Sequence, residues 1–245
     1  MILQVERLSK SFGGVMAVAD VNFSIEKGEI SSIIGPNGAG KTTLFNLITS
    51  YTSPDSGMVI FKGEDICRLP PERIQRKGLS RTFQITSIFG KLTAFENVQT
   101  AIISARRRSL NCFSLSRRLF RNQTLDILDS VGLSDQAERT ANVLAHGDQR
   151  RLEIGIAIAS EPELLLLDEP ASGLAIDESA GIIELIERLA RERGMTLIFI
   201  EHDMNVVFAI SEKIRVMNFG KIIADGNPEE IRENKEVQRI YLGEN

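Results

Sequence analysis

Two kinds of apolar segment alternate along the chain. QVERL, VNFSIE and MVIFKG interleave apolar with polar residues, the period-two pattern of strands with one face on a core and the other toward water. ISSIIG, ELLLLD and TLIFIE are nearly continuous apolar runs, as expected of strands buried on both faces at the centre of a parallel sheet. Between ELLLLD and TLIFIE, Ile182, Ile183, Leu185, Ile186 and Leu189 recur on one helical face, with Glu184, Glu187, Arg188 and Arg191 opposite. Strand, helix and parallel strand make a βαβ unit. Residues 85–150 carry no strong strand pattern, are rich in arginine and read as helical around TLDILDSV, so they are expected to form a mostly helical insertion. Beyond TLIFIE, KIRVMN and KIIADG predict a hairpin joined through Phe219 and Gly220, and Asn227 followed by Pro228 and two glutamates predicts a capped terminal helix. The pattern as a whole is α/β.

Composition narrows the class without naming a chemistry. A chain of 245 residues, 42 % hydrophobic, buries a substantial core and fits one large domain or a domain with a sizeable insertion. Its apolar runs, such as LLLL at 164–167, fall far short of the roughly 20 residues that span a bilayer, and MILQVERLSK lacks the basic start and apolar core of a signal peptide. A cytoplasmic protein is expected. Cys67 and Cys112 stand apart from any Cys/His cluster, which argues for reduced thiols over disulfides or structural zinc. A net charge of −4 and a pI near 5.4 argue against nucleic acid as partner. Arg106, Arg107 and Arg108, with Arg117, Arg118 and Arg121, read as a solvated helical face rather than a binding platform.

The strongest chemical signal is GPNGAGKT, running from Gly35, Pro36, Asn37, Gly38, Ala39 and Gly40 to Lys41 and Thr42, between the strand EISSIIG and the helix that begins Thr42, Thr43. Glycines let backbone amides turn toward phosphate oxygens, and the positive end of the helix adds its field at the same point. Lys41 is placed to bridge β- and γ-phosphates and the Thr42 hydroxyl to bind magnesium. In LLLLDEP, Asp168 ends a buried strand where a carboxylate holds magnesium, and Glu169 follows where a base polarises an attacking water. Together the two motifs favour hydrolysis over binding alone.

These motifs, in this order, resemble the ATP-binding cassette family over essentially the whole chain. GPNGAGKT resembles its Walker A, Gln84 in SRTFQ its Q-loop, LLLLDEP its Walker B with catalytic glutamate, and His202 in FIEHDM its switch histidine. The resemblance implies a P-loop NTPase fold with a RecA-like parallel-sheet core, an antiparallel β subdomain and a helical insertion. It divides one cassette domain into a core at 1–84 and 151–225, a helical subdomain at 85–150 and a C-terminal helix at 226–245. It implies ATP and Mg2+ as ligands, with Thr42, Gln84 and Asp168 around the metal and Glu169, His202 and Gln84 in catalysis. Phe12 in SKSFGG resembles the aromatic on which adenine stacks; an ordinary core phenylalanine is the competing reading.

Leu144, Ala145, His146, Gly147 and Asp148 align with the family's LSGGQ signature, which closes over the γ-phosphate of the opposite subunit. Alanine stands at 145 where serine is usual and aspartate at 148 where glutamine is usual, and SGLA ends in Ala175 where an aspartate is common. A slow or clamp-like nucleotide site is one reading of these departures; sufficiency of the backbone amides is the other.

SRTFQ, KLTAFENV, HGDQRRLEIGIAIASEPELLLLDEP and the ending GKIIADGNPEEIRENKEVQRIYLGE resemble ATPase subunits of bacterial importers for branched-chain or other hydrophobic amino acids, and in part those for urea or short amides. That resemblance implies a second ATPase subunit, identical or homologous, and two membrane permease subunits. It also implies an extracytoplasmic binding protein acting indirectly, and a peripheral place on the cytoplasmic face of the inner membrane. Phe89, Leu92 and Phe95 in ITSIFGKLTAFENV are candidates for a permease-docking groove, with packing of the insertion's own core as the competing reading.

Overall fold

The computed structural model describes residues 1–82, 88–106 and 119–242. The period-two segments form an antiparallel sheet in the order β2 (Val15–Ile25), β1 (Leu3–Phe12), β4 (Ser56–Phe61), β5 (Glu64–Asp65). The continuous apolar runs become β3 (Ile30–Ile34), β7 (Leu164–Asp168) and β8 (Thr196–Ile200), buried at every position. They lie inside a second sheet ordered β10 (Lys221–Gly226), β9 (Lys213–Asn218), β3, β8, β7, β6 (Leu79–Arg81). All its neighbours pair in parallel except the β9–β10 hairpin.

The alternation of side chains along a strand explains the two cores. Leu164 and Leu166, with Ile198, Ile200 and Ile33, face Val5, Phe23, Val59 and Phe61 of the antiparallel sheet and Leu44 and Phe45 of α1 (Lys41–Ile48). Leu165 and Leu167, with Leu197 and Phe199, face the opposite way, onto Ile182, Leu185, Ile186 and Leu189 of α6 (Ile176–Arg193). Each such side chain removed from water contributes about 1.5–3 kcal/mol. The expected βαβ unit is β7–α6–β8, and α6 ends at Gly194, whose φ of 60° suits a residue without Cβ.

The arginine-rich region at 85–150 is mostly helical where described. Helix α2 (Pro71–Arg76) precedes it; within it lie α3 (Ala94–Ala105), which opens on a capping box of Thr93 and Glu96, and α4 (Arg121–Ser130), and α5 (His146–Ile158) runs out of it. Phe95, Val98, Ile102, Ile127, Leu128 and Leu152 join the α6-side core. This corrects the docking reading for Phe95: at 3 % exposure it packs the helical core, while Phe89 remains exposed. After α7 (Met204–Ile210) the β9–β10 hairpin forms as predicted through Phe219 and Gly220. The expected single terminal helix is broken into α8 (Pro228–Glu233) and α9 (Lys235–Leu242). The cause is local: Asn234 leaves the helical region and its side chain caps the next helix, accepting from the amides of Glu236 and Val237. Arg106 pairs with Glu161 at 3.1 Å and the Arg121 guanidinium lies 5.6 Å from the Phe95 ring. Arg107, Arg108, Arg117, Arg118 and Cys112 lie outside the described residues.

Because β3, β6, β7, β8 and β9 run parallel, the segments that leave their C-terminal ends gather on one edge. That edge carries the chemistry.

Candidate nucleotide site

The glycine-rich loop leaves β3 and enters α1 under close constraint. Gly35 has φ 155° and Gly40 φ 104°; a Cβ would lie 2.0 Å from the Met217 carbonyl oxygen at the first and 2.1 Å from that of Ala17 at the second. Only glycine lets β9 and β2 approach so closely. The Ala39 carbonyl accepts from Gly220 N–H at 2.9 Å, and Ala19 N–H donates to Gly220 at 2.8 Å, which ties the loop to the β9–β10 turn and to β2. Lys41 folds back into the loop, donating to the Gly35 and Pro36 carbonyls at 2.6 and 3.1 Å. Burial pushes its ammonium pKa down, while Glu169 and Asp168 pull it back up. A Lys held this way is ready to exchange carbonyls for phosphate oxygens. Thr42 is exposed in the first turn of α1, followed by half-buried Thr43. Phe12 ends β1 at 51 % exposure, with Lys10 Nζ 5.5 Å from its ring centroid. The core reading of Phe12 therefore fails.

Asp168 ends β7 almost fully buried. Its Oδ2 accepts from the Arg81 guanidinium at 2.8 Å, the two side chains being 1 % and 5 % exposed. Arg81 also donates to Asn46 Oδ1 of α1 at 2.6 Å and lies 5.5 Å from the Phe45 ring. Burial pushes the Asp168 carboxyl pKa up, against the pull of Arg81. The other oxygen, Oδ1, is buried without a hydrogen-bond partner among the described residues. A buried, unpaired carboxylate oxygen beside the phosphate loop fits a magnesium site.

Glu169 holds φ at 51°, a strained value for a residue with Cβ. Its amide donates to Ile200 O at 3.0 Å, and its Oε1 lies 2.8 Å from His202 Nε2, with the ring donating to the carboxylate. The two predicted catalytic side chains thus meet, although they follow different strands. Next to His202, Glu201 is buried and accepts two backbone amides; burial raises its pKa and those two bonds oppose the shift. Gln84 lies outside the described residues, three positions beyond the end of β6.

Leu144 is buried, Ala145 is the N-cap of α5, and His146, Gly147 and Asp148 form that helix's first turn. His146 is exposed, and a Cβ on Gly173 would lie 3.4 Å from its ring. The signature start and the SGLA turn therefore adjoin within one chain. Ala175 is likewise the N-cap of α6, and neither cap carries a side-chain hydrogen bond. Both departures from the family pattern remove a capping oxygen.

A family model described as ABC transporter matches residues 18–172, and a second, described as branched-chain amino acid ATP-binding cassette transporter, matches 221–245. The chain belongs to the ABC transporter family. Its cassette is 42 % identical to the high-affinity branched-chain amino acid transport ATP-binding protein BraF of Pseudomonas aeruginosa, covering 99 % of this chain and 98 % of that protein. In structure the cassette is similar to the ADP conformation of MJ1267, an ATP-binding cassette of an ABC transporter, with TM-score 0.87, 31 % identity and 99 % of each chain covered. It is also similar to the ATP-binding cassette MJ0796, solved as a dimer in a post-hydrolysis state bound to ADP and Pi, with TM-score 0.79, 26 % identity, and 93 % and 99 % covered. The cassette is an ATPase of this family. Sequence reasoning passed over Arg81 and Glu201, though both stand inside quoted motifs; Glu201 was marked by a charge at the end of the apolar run TLIFI, and Arg81 by no local signal.

Proposed function

We propose that this cassette is the ATP-hydrolysing subunit of a bacterial importer for branched-chain or other hydrophobic amino acids. The observation that carries the substrate class is the identity with BraF over nearly the whole of both chains, joined to the family match at 221–245. ATP lies along Gly35–Thr43 with its base against Phe12. Thr42, Asp168 and Gln84 hold Mg2+, which supplies charge neutralisation on the phosphates. Lys41 grips the β- and γ-phosphates, and Glu169 takes the proton of the attacking water while His202 holds the Glu169 carboxylate and faces the γ-phosphate. Leu144–Asp148 of a second subunit, identical or homologous, completes each site. Closure and reopening of that pair drive two permease subunits, which an extracytoplasmic binding protein supplies, and the cassette sits on the cytoplasmic face of the inner membrane. Among the described residues no helix is long and apolar enough to cross a membrane. Urea or short amides are the alternative cargo. The bare caps at Ala145 and Ala175 support a second reading, a weakly hydrolysing regulatory cassette.

Steady-state MgATP hydrolysis at rising protein concentration tests the proposal, beside Glu169→Gln. Specific activity should climb with concentration, and the variant should lose roughly 10²–10⁴-fold in kcat while still binding ATP. Unchanged turnover in Glu169→Gln would refute the assignment of the base. Turnover that stays negligible at every concentration although ATP binds means that the site needs a homologous, not identical, second subunit; turnover still negligible with that subunit present favours the regulatory reading.

A further inference from the structure

Glu201 is a carboxylate at 6 % exposure that neither motif uses. One oxygen reaches across to the segment after β7 and the other holds the side chain within its own segment: Ala171 N–H donates to Oε1 at 3.0 Å, and the adjacent His202 N–H donates to Oε2 at 3.2 Å. Ala171 lies two residues after Glu169 and opens the turn to Ala175, where its own carbonyl accepts from Leu174 N–H and Ser179 Oγ, both at 3.4 Å. Two further links join the same segments, Glu169 N–H to Ile200 O and His202 to Glu169. Satisfying one buried amide needs no charge, because a neutral acceptor does so at lower desolvation cost. With both oxygens held, the Glu201 side chain has one orientation, so its bond to Ala171 fixes the spacing of the two segments, whereas a residue with one acceptor oxygen can keep only one of the two bonds.

We propose that Glu201 is a positioning residue: it fastens the segment after the Walker B strand to the switch-histidine segment, so that Glu169 and His202 move as one body. The inference rests on the reading of Glu169 and His202 as the pair that acts on the attacking water. Misplacement of a reacting group by about 1 Å costs up to roughly a hundredfold in rate, which sets the scale of the effect. Among the described residues the Glu201 side chain bonds Ala171 and His202 and makes no hydrogen bond to Gly35–Thr43 or Phe12, so ATP binding should be spared.

The test is steady-state hydrolysis and equilibrium ATP binding by the full chain carrying Glu201→Gln, Glu201→Ala or His202→Ala. Glu201→Gln keeps the shape and one acceptor oxygen, and its kcat should fall about tenfold, with Glu201→Ala falling further, toward a hundredfold. KM and the Kd for ATP should stay within about twofold in both, the signature of a group that acts on the transition state and not on binding. Wild-type kcat in Glu201→Gln and Glu201→Ala overturns the proposal, and so does a loss of ATP affinity that tracks the loss of kcat. If the alanine variant does not fold, the isosteric glutamine variant decides alone. Loss of turnover in His202→Ala with none in the Glu201 variants refutes the coupling only, whereas full turnover in His202→Ala refutes the underlying pair.

Discussion

Restoring a hydroxyl at position 145 should stabilise the protein by a predictable amount. Ala145 has φ −59° and ψ 154°, the extended geometry of an N-cap, and makes no side-chain bond to the 13-residue helix that follows. The first amides of a helix have no intrahelical acceptor, and Asp148 at the third helical position offers an acid in the first turn but no capping hydroxyl behind it. In Ala145→Ser the Oγ can accept from the amide of Gly147 or Asp148 without backbone change. Replacing alanine by serine at such a site is worth about 1 kcal/mol, within a range of roughly 0.5–2. For a chain of 245 residues that corresponds to a rise of about 2–4 °C in Tm. The assay is a thermal melt of nucleotide-free protein at matched concentration, since bound ligand shifts the midpoint by itself. A rise below about 0.5 °C, or a fall, would refute the reasoning by showing that these amides are already satisfied. The same hydroxyl faces the partner's γ-phosphate in the proposed dimer, so turnover should rise with it.

Three further outcomes follow from the geometry. Phe12→Ala removes an exposed stacking surface and should weaken ATP binding by about 1–3 kcal/mol, at least roughly fivefold in Kd, with Tm nearly unchanged; equal affinity would remove Phe12 from the site. Gly40→Ala forces a Cβ to within 2.1 Å of Ala17 O at φ 104°, so the loop must shift, at a cost of order 1–3 kcal/mol and with loss of ATP binding by calorimetry; retained affinity would disprove the constraint. Asp55 accepts from Lys10 and Ser11 beside Phe12, and chiefly the Lys10 bond holds its carboxyl down at about 2. A pKa lower in the folded state stabilises above the unfolded value and loses that contribution as pH falls, so Asp55→Asn should be less stable than the parent at neutral pH. The gap in urea midpoints should close between about pH 4 and 2, and a pH-independent gap contradicts the assignment.

Strand type, the βαβ order and the phosphate loop were legible because each rests on local physics. Period-two alternation marks β1, β2 and β4, nearly continuous apolar runs mark β3, β7 and β8, and the glycines at 35 and 40 mark a backbone no other residue tolerates. Helical periodicity likewise placed α6 and its buried face. Tertiary structure alone decided what those elements bring together. Apolar character does not say which core a residue joins, so Phe95 was open between a docking surface and the interior until α3, α4 and α5 packed around it. An aromatic at a strand end is equally neutral, and only the turn after β1 left Phe12 exposed. The 2.8 Å contact of Glu169 with His202, the burial of Arg81 against Asp168 and the bond of Glu201 to Ala171 join residues 33, 87 and 30 positions apart. Such pairings depend on the order of parallel strands in the sheet, a long-range property that no local pattern of hydrophobic and polar residues encodes.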